Sequence, residues 1–177
     1  MTGGTRAPRI NELVEQFSDL LYRYAYRLTG NAADAEDLTQ QTFLRAHEKG
    51  HQLRDASAAR WWLCSIMRNT FLSGRRHVEM TVSLDAVDES AFVDEPPDTN
   101  VDPVELQQAL LELAEEFRSP VILFYFEEFS YQEIAIQMGV PIGTVMSRLS
   151  RAKAFLRQRL TEKAGLEGQP YCEKVAT

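Results

Sequence analysis

The 177-residue sequence predicts an all-α protein made of two small helical domains that an acidic, flexible linker joins. Three observations predict this fold class. Apolar residues recur at three- and four-residue spacing in both halves, which is the period of an amphipathic helix. The first half shows no strand-like alternation. Residues 78–103 contain eight acidic residues, three prolines and no basic residue, a composition that buries too little apolar surface to fold by itself.

The first domain is predicted over residues 10–77, after a polar N-terminus, residues 1–9, that we expect to be disordered. Its first helix should stop at Thr29, Gly30 and Asn31, because glycine commonly ends helices.

Two further helices are expected in this domain. One should run over residues 32–49 and stop at Gly50, since acidic residues crowd its first turns, where they favour the positive end of the helix dipole. The other should begin after Asp55 or Ser57 and end near the basic residues Arg75 and Arg76.

The second domain is predicted over residues 104–160, with a C-terminal tail over residues 161–177. Helical periodicity returns directly after Pro103, the last residue of the predicted linker. A further helix start is expected at Ser119 and Pro120, where a serine cap precedes a proline at the first helical position.

Residues 130–157 fit a helix-turn-helix. Ser130 and Glu133 have the spacing of a capping box. Ala135, Gly139 and Val145 then supply a small residue where two helices touch, a glycine in the turn and a branched apolar residue in the second helix. The recognition helix should begin near Ile142, after Pro141. The predicted shared core is Ile134, Met138, Val140, Val145, Leu149, Ala152 and Leu156.

The outward face of this recognition helix is suited to the major groove of DNA. It comprises Thr144, Met146, Ser147, Arg148, Ser150 and Arg151. Residues 144–163 hold six basic residues against one acidic residue, although the formal net charge of the chain is −7. The pattern alone leaves open a solvated pair of helices with no DNA role.

Three motifs resemble the sigma-70 family of bacterial transcription initiation factors, in its extracytoplasmic-function (ECF) group. Residues 130–135 with 143–149 are similar to region 4, which reads the promoter minus-35 element. Residues 34–43 resemble region 2.2, which docks on the clamp helices of RNA polymerase. Residues 61–69, followed by Arg75 and Arg76, resemble the segment that opens and reads the minus-10 element.

The resemblance implies roles by position. Six residues would contact the polymerase: Asp34, Asp37, Leu38, Gln40, Gln41 and Phe43. Five would contact the minus-10 element: Trp61, Arg68, Asn69, Arg75 and Arg76. Asn69 would lie beside the pocket for a flipped base, and the three arginines would hold phosphates. Gln41 departs from the family, in which many members have glutamate there, and a core role for Trp61 stays open.

The implied partners are core RNA polymerase, promoter DNA and an anti-sigma factor. No cofactor or metal is expected. We expect a cytoplasmic protein without membrane insertion, because no apolar run is long enough to span a bilayer and residues 1–9 lack the apolar part of a signal peptide. The acidic linker would either mimic RNA charge in the polymerase or serve as a plain spacer.

Two rival functions remain. His47, Glu48 and His51 match the H-E-x-x-H pattern of zinc hydrolases, but Gly50 stands inside the motif, where such a site needs continuous helix. An ordinary repressor or activator would use the helix-turn-helix alone, usually as a dimer on duplex operators. The resemblance to region 2 argues against that second reading.

Overall fold

The computed structural model describes residues 9–75 and 102–167, with side chains up to residues 74 and 161 in the two ranges, and every regular element there is helical. The first half contains α1 (Ile10–Thr29), α2 (Ala32–Glu48) and α3 (Ala59–Arg75). Two 3-10 turns, Gly50–Gln52 and Ala56–Ala58, connect α2 to α3. The all-α prediction is confirmed, and residues 1–8 and the predicted linker up to residue 101 lie outside the described ranges.

Local caps explain the helix boundaries of the first half. Gly30 adopts the left-handed conformation (φ 72°), and its N–H donates to the Tyr26 carbonyl at 2.7 Å. The Asn31 side chain then accepts from the first amides of α2, at 2.8 Å from the Ala33 nitrogen. Helix α2 ends at Glu48, one residue before the predicted end. Asp55 caps the 3-10 turn that leads into α3. This cap agrees with one of the two starts predicted for the helix, the one after Asp55.

The second half contains α4 (Pro103–Glu112), α5 (Glu115–Val121), α6 (Tyr131–Met138) and α7 (Ile142–Glu167). Two helices extend beyond the bounds predicted for this domain. Pro103 belongs to α4 and not to the linker, because Asp102 caps the helix by accepting from the Val104 amide at 2.9 Å. The segment predicted as a tail from residue 161 continues α7 to Glu167.

The predicted helix start at Ser119 and Pro120 is wrong, because both residues lie inside α5. The Ser119 hydroxyl donates to Glu115 Oε1 at 2.6 Å instead of capping a helix. Pro120 has no amide hydrogen to donate. The backbone widens into a π-helical turn, Ile122–Phe126, directly after α5, and the Glu127 amide donates to the Ile122 carbonyl at 3.1 Å.

The two halves share one continuous core. Buried side chains from α1, α2 and α3 form a single apolar cluster with those from α4 to α7. At one junction, Gly30 lies against Leu111, so closely that a Cβ on the glycine would overlap the Leu111 side chain. At another, the Gln107 amide donates to the Tyr26 and Arg27 carbonyls at 3.2 and 3.3 Å. The end of α1 is therefore seated on α4.

Candidate nucleic-acid interface

The helix-turn-helix of α6 and α7 has the predicted local geometry. Ser130 Oγ accepts from the Glu133 amide at 3.3 Å, and Glu133 Oε2 accepts from the Ser130 amide at 2.8 Å, which confirms the capping box. The hydrogen bonds from the Ser130 hydroxyl and amide lower the pKa of Glu133. Gly139 ends α6 in the left-handed conformation (φ 66°), and α7 begins at Ile142 as predicted.

The predicted core of the motif is largely confirmed. Ile134, Val145 and Ala152 are fully buried, and Ala135 and Leu149 are nearly so. Met138, Val140 and Leu156 are partly buried against them. One side of α7 is thereby fixed against α6.

The predicted minus-35 residues differ in exposure. Met146 is the exposed one, at 52%. The others are partly buried: Thr144, Ser147, Arg148, Ser150 and Arg151. Ser147 donates its hydroxyl to the Thr144 carbonyl at 3.1 Å, and Arg148 forms an ion pair with Glu116 of α5 at 2.8 Å. Sequence reasoning missed two exposed apolar residues near this surface, Ile136 and Ile142.

Four of the five predicted minus-10 residues lie on α3, and two of these four contact the second half of the chain. The indole N–H of Trp61 donates to the Glu133 carbonyl at 3.3 Å. Arg68 is 9% exposed and pairs with Glu115, with 3.0 Å between its Nε and Glu115 Oε1. Asn69 is exposed. Arg75 is the last residue of α3, its side chain lies outside the described atoms, and Arg76 lies outside the described residues.

A buried carboxylate also lies at this contact between the halves. Glu127 is 3% exposed, and Arg60 of α3 donates to its backbone carbonyl and to its side chain. Burial raises the pKa of the Glu127 carboxyl, although the Arg60, Arg27 and Arg23 guanidinium groups act in the opposite direction. Arg60 also lies 5.1 Å from the centre of the Phe129 ring.

The predicted polymerase-binding residues lie on α2, away from the contact between the halves. Asp34, Asp37, Gln40 and Gln41 are exposed. Leu38 is not available for such a contact, because it is 6% exposed and belongs to the core together with the other inward positions of α2. Phe43 is partly buried against that core.

Leu44, which sequence reasoning missed, is 65% exposed on the outer side of α2. Its helical position was a usable signal, because it is seven residues from Asp37 and therefore on the same side of the helix. The face that we call the α2 docking face comprises Asp34, Asp37, Gln40, Gln41 and Leu44.

The described residues contain no group of three or more His, Cys, Asp or Glu side chains that could hold a metal ion. Helix α2 ends at Glu48, so His47 lies in the helix while His51 lies in the following 3-10 turn. The two histidines of the H-E-x-x-H pattern therefore do not lie on one continuous helix. Cys64 is a buried free thiol whose pKa is raised by burial.

Among the described helices, none combines the length and apolar character needed to cross a bilayer.

Two family models match the chain in succession. The model described as Sigma-70 region 2 matches residues 13–79, and the model described as Sigma-70, region 4 matches residues 104–156. These two ranges contain α1 to α3 and α4 to α7 up to residue 156, apart from the first few residues of α1 and Pro103 of α4.

Similar curated proteins carry the same family name. The ECF RNA polymerase sigma factor SigE of Mycolicibacterium smegmatis is 37% identical over 170 residues, which cover 92% of this chain and 65% of that protein. The ECF RNA polymerase sigma factor SigL of Mycobacterium tuberculosis is 35% identical over 161 residues, which cover 88% of this chain and 91% of that protein.

Two solved structures share the architecture. The sigma factor RpoE, in complex with the anti-sigma factor NepR from Bartonella quintana, matches with a TM-score of 0.68 and 26% identity over 85% of this chain and 96% of that chain. CnrH, in complex with the cytosolic domain of CnrY, has the same fold at 20% identity, with a TM-score of 0.62 over 86% of this chain and 88% of that chain.

Proposed function

The chain belongs to the sigma-70 family of bacterial transcription initiation factors, in its ECF group, and we propose from this premise which of its surfaces perform the function. As a sigma factor, the chain directs RNA polymerase to promoters. The α2 docking face contacts the clamp helices of the polymerase, α3 reads the minus-10 element, and the N-terminal turns of α7 read the minus-35 element.

One observation carries this proposal. The capped helix-turn-helix of α6 and α7 and the exposed face of α2 lie in one chain, each within the range that matches its own sigma-70 region. A helix-turn-helix without the α2 docking face would fit a repressor equally well.

The place of action and one further partner follow as proposals. Because its binding partners are RNA polymerase and promoter DNA, the chain acts in the cytoplasm. It is a regulatory factor without catalysis of its own. We also propose an anti-sigma factor as a partner. The similar sigma factor RpoE, solved as a complex with the anti-sigma factor NepR, supports this partner.

Reconstitution tests the proposal. Core RNA polymerase is mixed with the chain and a library of promoter fragments, and promoter opening is detected by permanganate reactivity of unpaired thymines. We expect opening at a restricted set of fragments only when the chain is present. Absence of opening at every fragment, together with tight operator binding by the free chain as a dimer, would establish the repressor instead.

The Asp37→Arg variant tests the α2 docking face separately. The exposed carboxylate becomes a cation, and we expect the affinity for core polymerase to fall by about tenfold or more, or at least ~1.4 kcal/mol. The matched control is Glu15→Arg, which makes the same charge change at an exposed position of α1. Equal affinities for the two variants would remove Asp37 from the docking face.

The Arg151→Ala variant tests the minus-35 contact. A side chain that reads a base edge contributes about 1–3 kcal/mol, so we expect a roughly 5- to 150-fold loss of upstream-element recognition with unchanged core polymerase binding. A loss of polymerase binding in this variant would contradict the assignment.

A further inference from the structure

Two adjacent glutamates at the start of α5 reach in different directions to two arginines that the proposed function assigns to DNA. Glu115 pairs with Arg68 of α3, at 3.0 Å between Oε1 and the arginine Nε. Glu116 pairs with Arg148 of α7, at 2.8 Å between Oε2 and Nη2. The first turn of α5 thus pairs with one arginine predicted to contact the minus-10 element and with one predicted to contact the minus-35 element.

The two ion pairs differ in their surroundings. The side chains of Arg68 and Glu115 are 11% and 18% exposed, and Ser119 donates its hydroxyl to the same carboxylate at 2.6 Å. Glu116 is 52% exposed, while Arg148 is 21% exposed. The first pair is therefore shielded from solvent and held in place, whereas the second is open to competition by dissolved ions and by phosphate.

Further contacts hold the same side of α3 against the second half. Arg60, Trp61 and Arg68 lie at helical positions that share one side, and each contacts the second half. Their partners are the Glu127 side chain, the Glu133 backbone carbonyl and the Glu115 carboxylate. In this arrangement the Trp61 indole N–H and the Arg68 side chain bind protein groups at the places where the proposed function would put DNA.

We propose that Glu115 and Glu116 form an acidic latch. In the free chain, Glu115 holds Arg68 of α3 and Glu116 holds Arg148 of α7. When the chain binds DNA, both arginines are released to DNA phosphates. The proposal rests on the DNA roles assigned to Arg68 and Arg148 under the proposed function. The α2 docking face remains exposed in the latched chain, so polymerase can bind before the latch opens. Weak DNA binding by the free chain follows from the latch, in addition to the net charge of −7.

The salt dependence of DNA binding measures the latch. Each phosphate neutralised by a cation changes the slope of log K against log salt by about −0.9 on duplex DNA and about −0.7 on a single strand. The probes are a short fluorescent duplex and a short fluorescent single strand, both of mixed sequence, titrated with the full-length free chain between about 50 and 200 mM salt.

Three glutamine variants carry the test. Glu116→Gln should steepen the duplex slope by about 0.9, and Glu115→Gln should steepen the single-strand slope by about 0.7. The control is Glu112→Gln, which removes the same charge but breaks the pair of Glu112 with Arg159 at 2.9 Å, inside the second half. The substitutions are nearly isosteric, and thermal unfolding of each variant checks that the fold is retained.

Removal of each arginine completes the test. In an Arg148→Gln background, Glu116→Gln should no longer steepen the slope, and Arg68→Gln should likewise abolish the effect of Glu115→Gln. A steepening of the slope equal to that of Glu112→Gln, or one that persists when the paired arginine is absent, would overturn the latch. Such a change would reflect net charge alone.

Promoter opening with core polymerase separates this test from that of the proposed function. Opening by the wild-type chain, together with slopes unchanged in the Glu115 and Glu116 variants, would reject the latch alone. The expected slope changes without opening at any fragment would reject the proposed function and retain the latch as a property of a DNA-binding protein.

Discussion

Arg118 is a fully buried side chain that joins the ends of two helices. It is 1% exposed, and it donates to the Leu28 carbonyl at 2.8 Å, the Leu111 carbonyl at 2.9 Å and the Leu113 carbonyl at 2.7 Å. Leu28 lies in the last turn of α1, and the two other carbonyls belong to the end of α4. The guanidinium group thus satisfies helix-end carbonyls of both halves and complements their partial negative charge.

Replacement of Arg118 by methionine should therefore destabilise the whole chain. A hydrogen bond to a charged group contributes about 1.5–3 kcal/mol, and the variant loses three while leaving buried carbonyls without this donor. Removal of the guanidinium also regains several kcal/mol of its desolvation free energy, and methionine fills most of the space. The two effects leave a net loss of about 3 kcal/mol in the free energy of unfolding.

Urea denaturation followed by circular dichroism measures this loss. At this chain length, about 3 kcal/mol corresponds to a fall in Tm of roughly 6–12 °C. The control is Arg157→Met, which removes the same charge from an exposed position of α7 and should change stability by less than about 0.5 kcal/mol. A change below about 1 kcal/mol in Arg118→Met would refute the view that this arginine holds the two helix ends together.

Three further predictions concern caps, close packing and pH. Ser130→Ala removes the α6 cap and should lower the free energy of unfolding by about 1 kcal/mol; urea denaturation with no measurable loss would contradict the capping assignment. Gly30→Ala and Gly139→Ala both place a side chain at positive φ, at a cost of about 1–2 kcal/mol, but only the first overlaps Leu111, so chemical denaturation should show the greater loss for Gly30→Ala. Glu127→Gln should raise Tm at neutral pH, because burial raises the pKa of the carboxyl in the folded state. The protonated carboxyl stabilises the fold fully below its unfolded pKa and loses that effect as pH rises through the raised folded pKa, so the Tm difference should vanish in acid; a constant difference would exclude this cause.

Local signals predicted much of the fold. The ends of α1 and α6 depend on Gly30 and Gly139, and the starts of α2 and α6 depend on side chains at Asn31 and Ser130 that bond to nearby amides. Each of these features involves residues within a few positions of one another, so the sequence displays them directly. The same sequence pattern misled at Ser119, where the serine hydroxyl binds Glu115 and the helix has already begun.

Contacts between the halves had no such local signal. Arg68 and Glu115 are 47 positions apart, and Arg60 and Glu127 are 67 positions apart, so neither pair leaves a periodic trace along the chain. Leu38 was assigned to the polymerase by resemblance, although its helical position beside Ala35 and Thr42 places it in the core. The helices and the reading motif could thus be predicted, whereas the partners of the arginines required the folded chain.

The hydrogen bond between Trp61 and the Glu133 carbonyl gives the molecule an intrinsic optical label. The indole N–H belongs to α3, and the carbonyl belongs to the first turn of α6, so separation of the two halves would exchange this protein acceptor for water. Indole emission responds to such a change in polarity. With Trp62 replaced by phenylalanine, the emission of the remaining indole would follow the separation in solution without an attached dye, and stopped-flow mixing would give its rate.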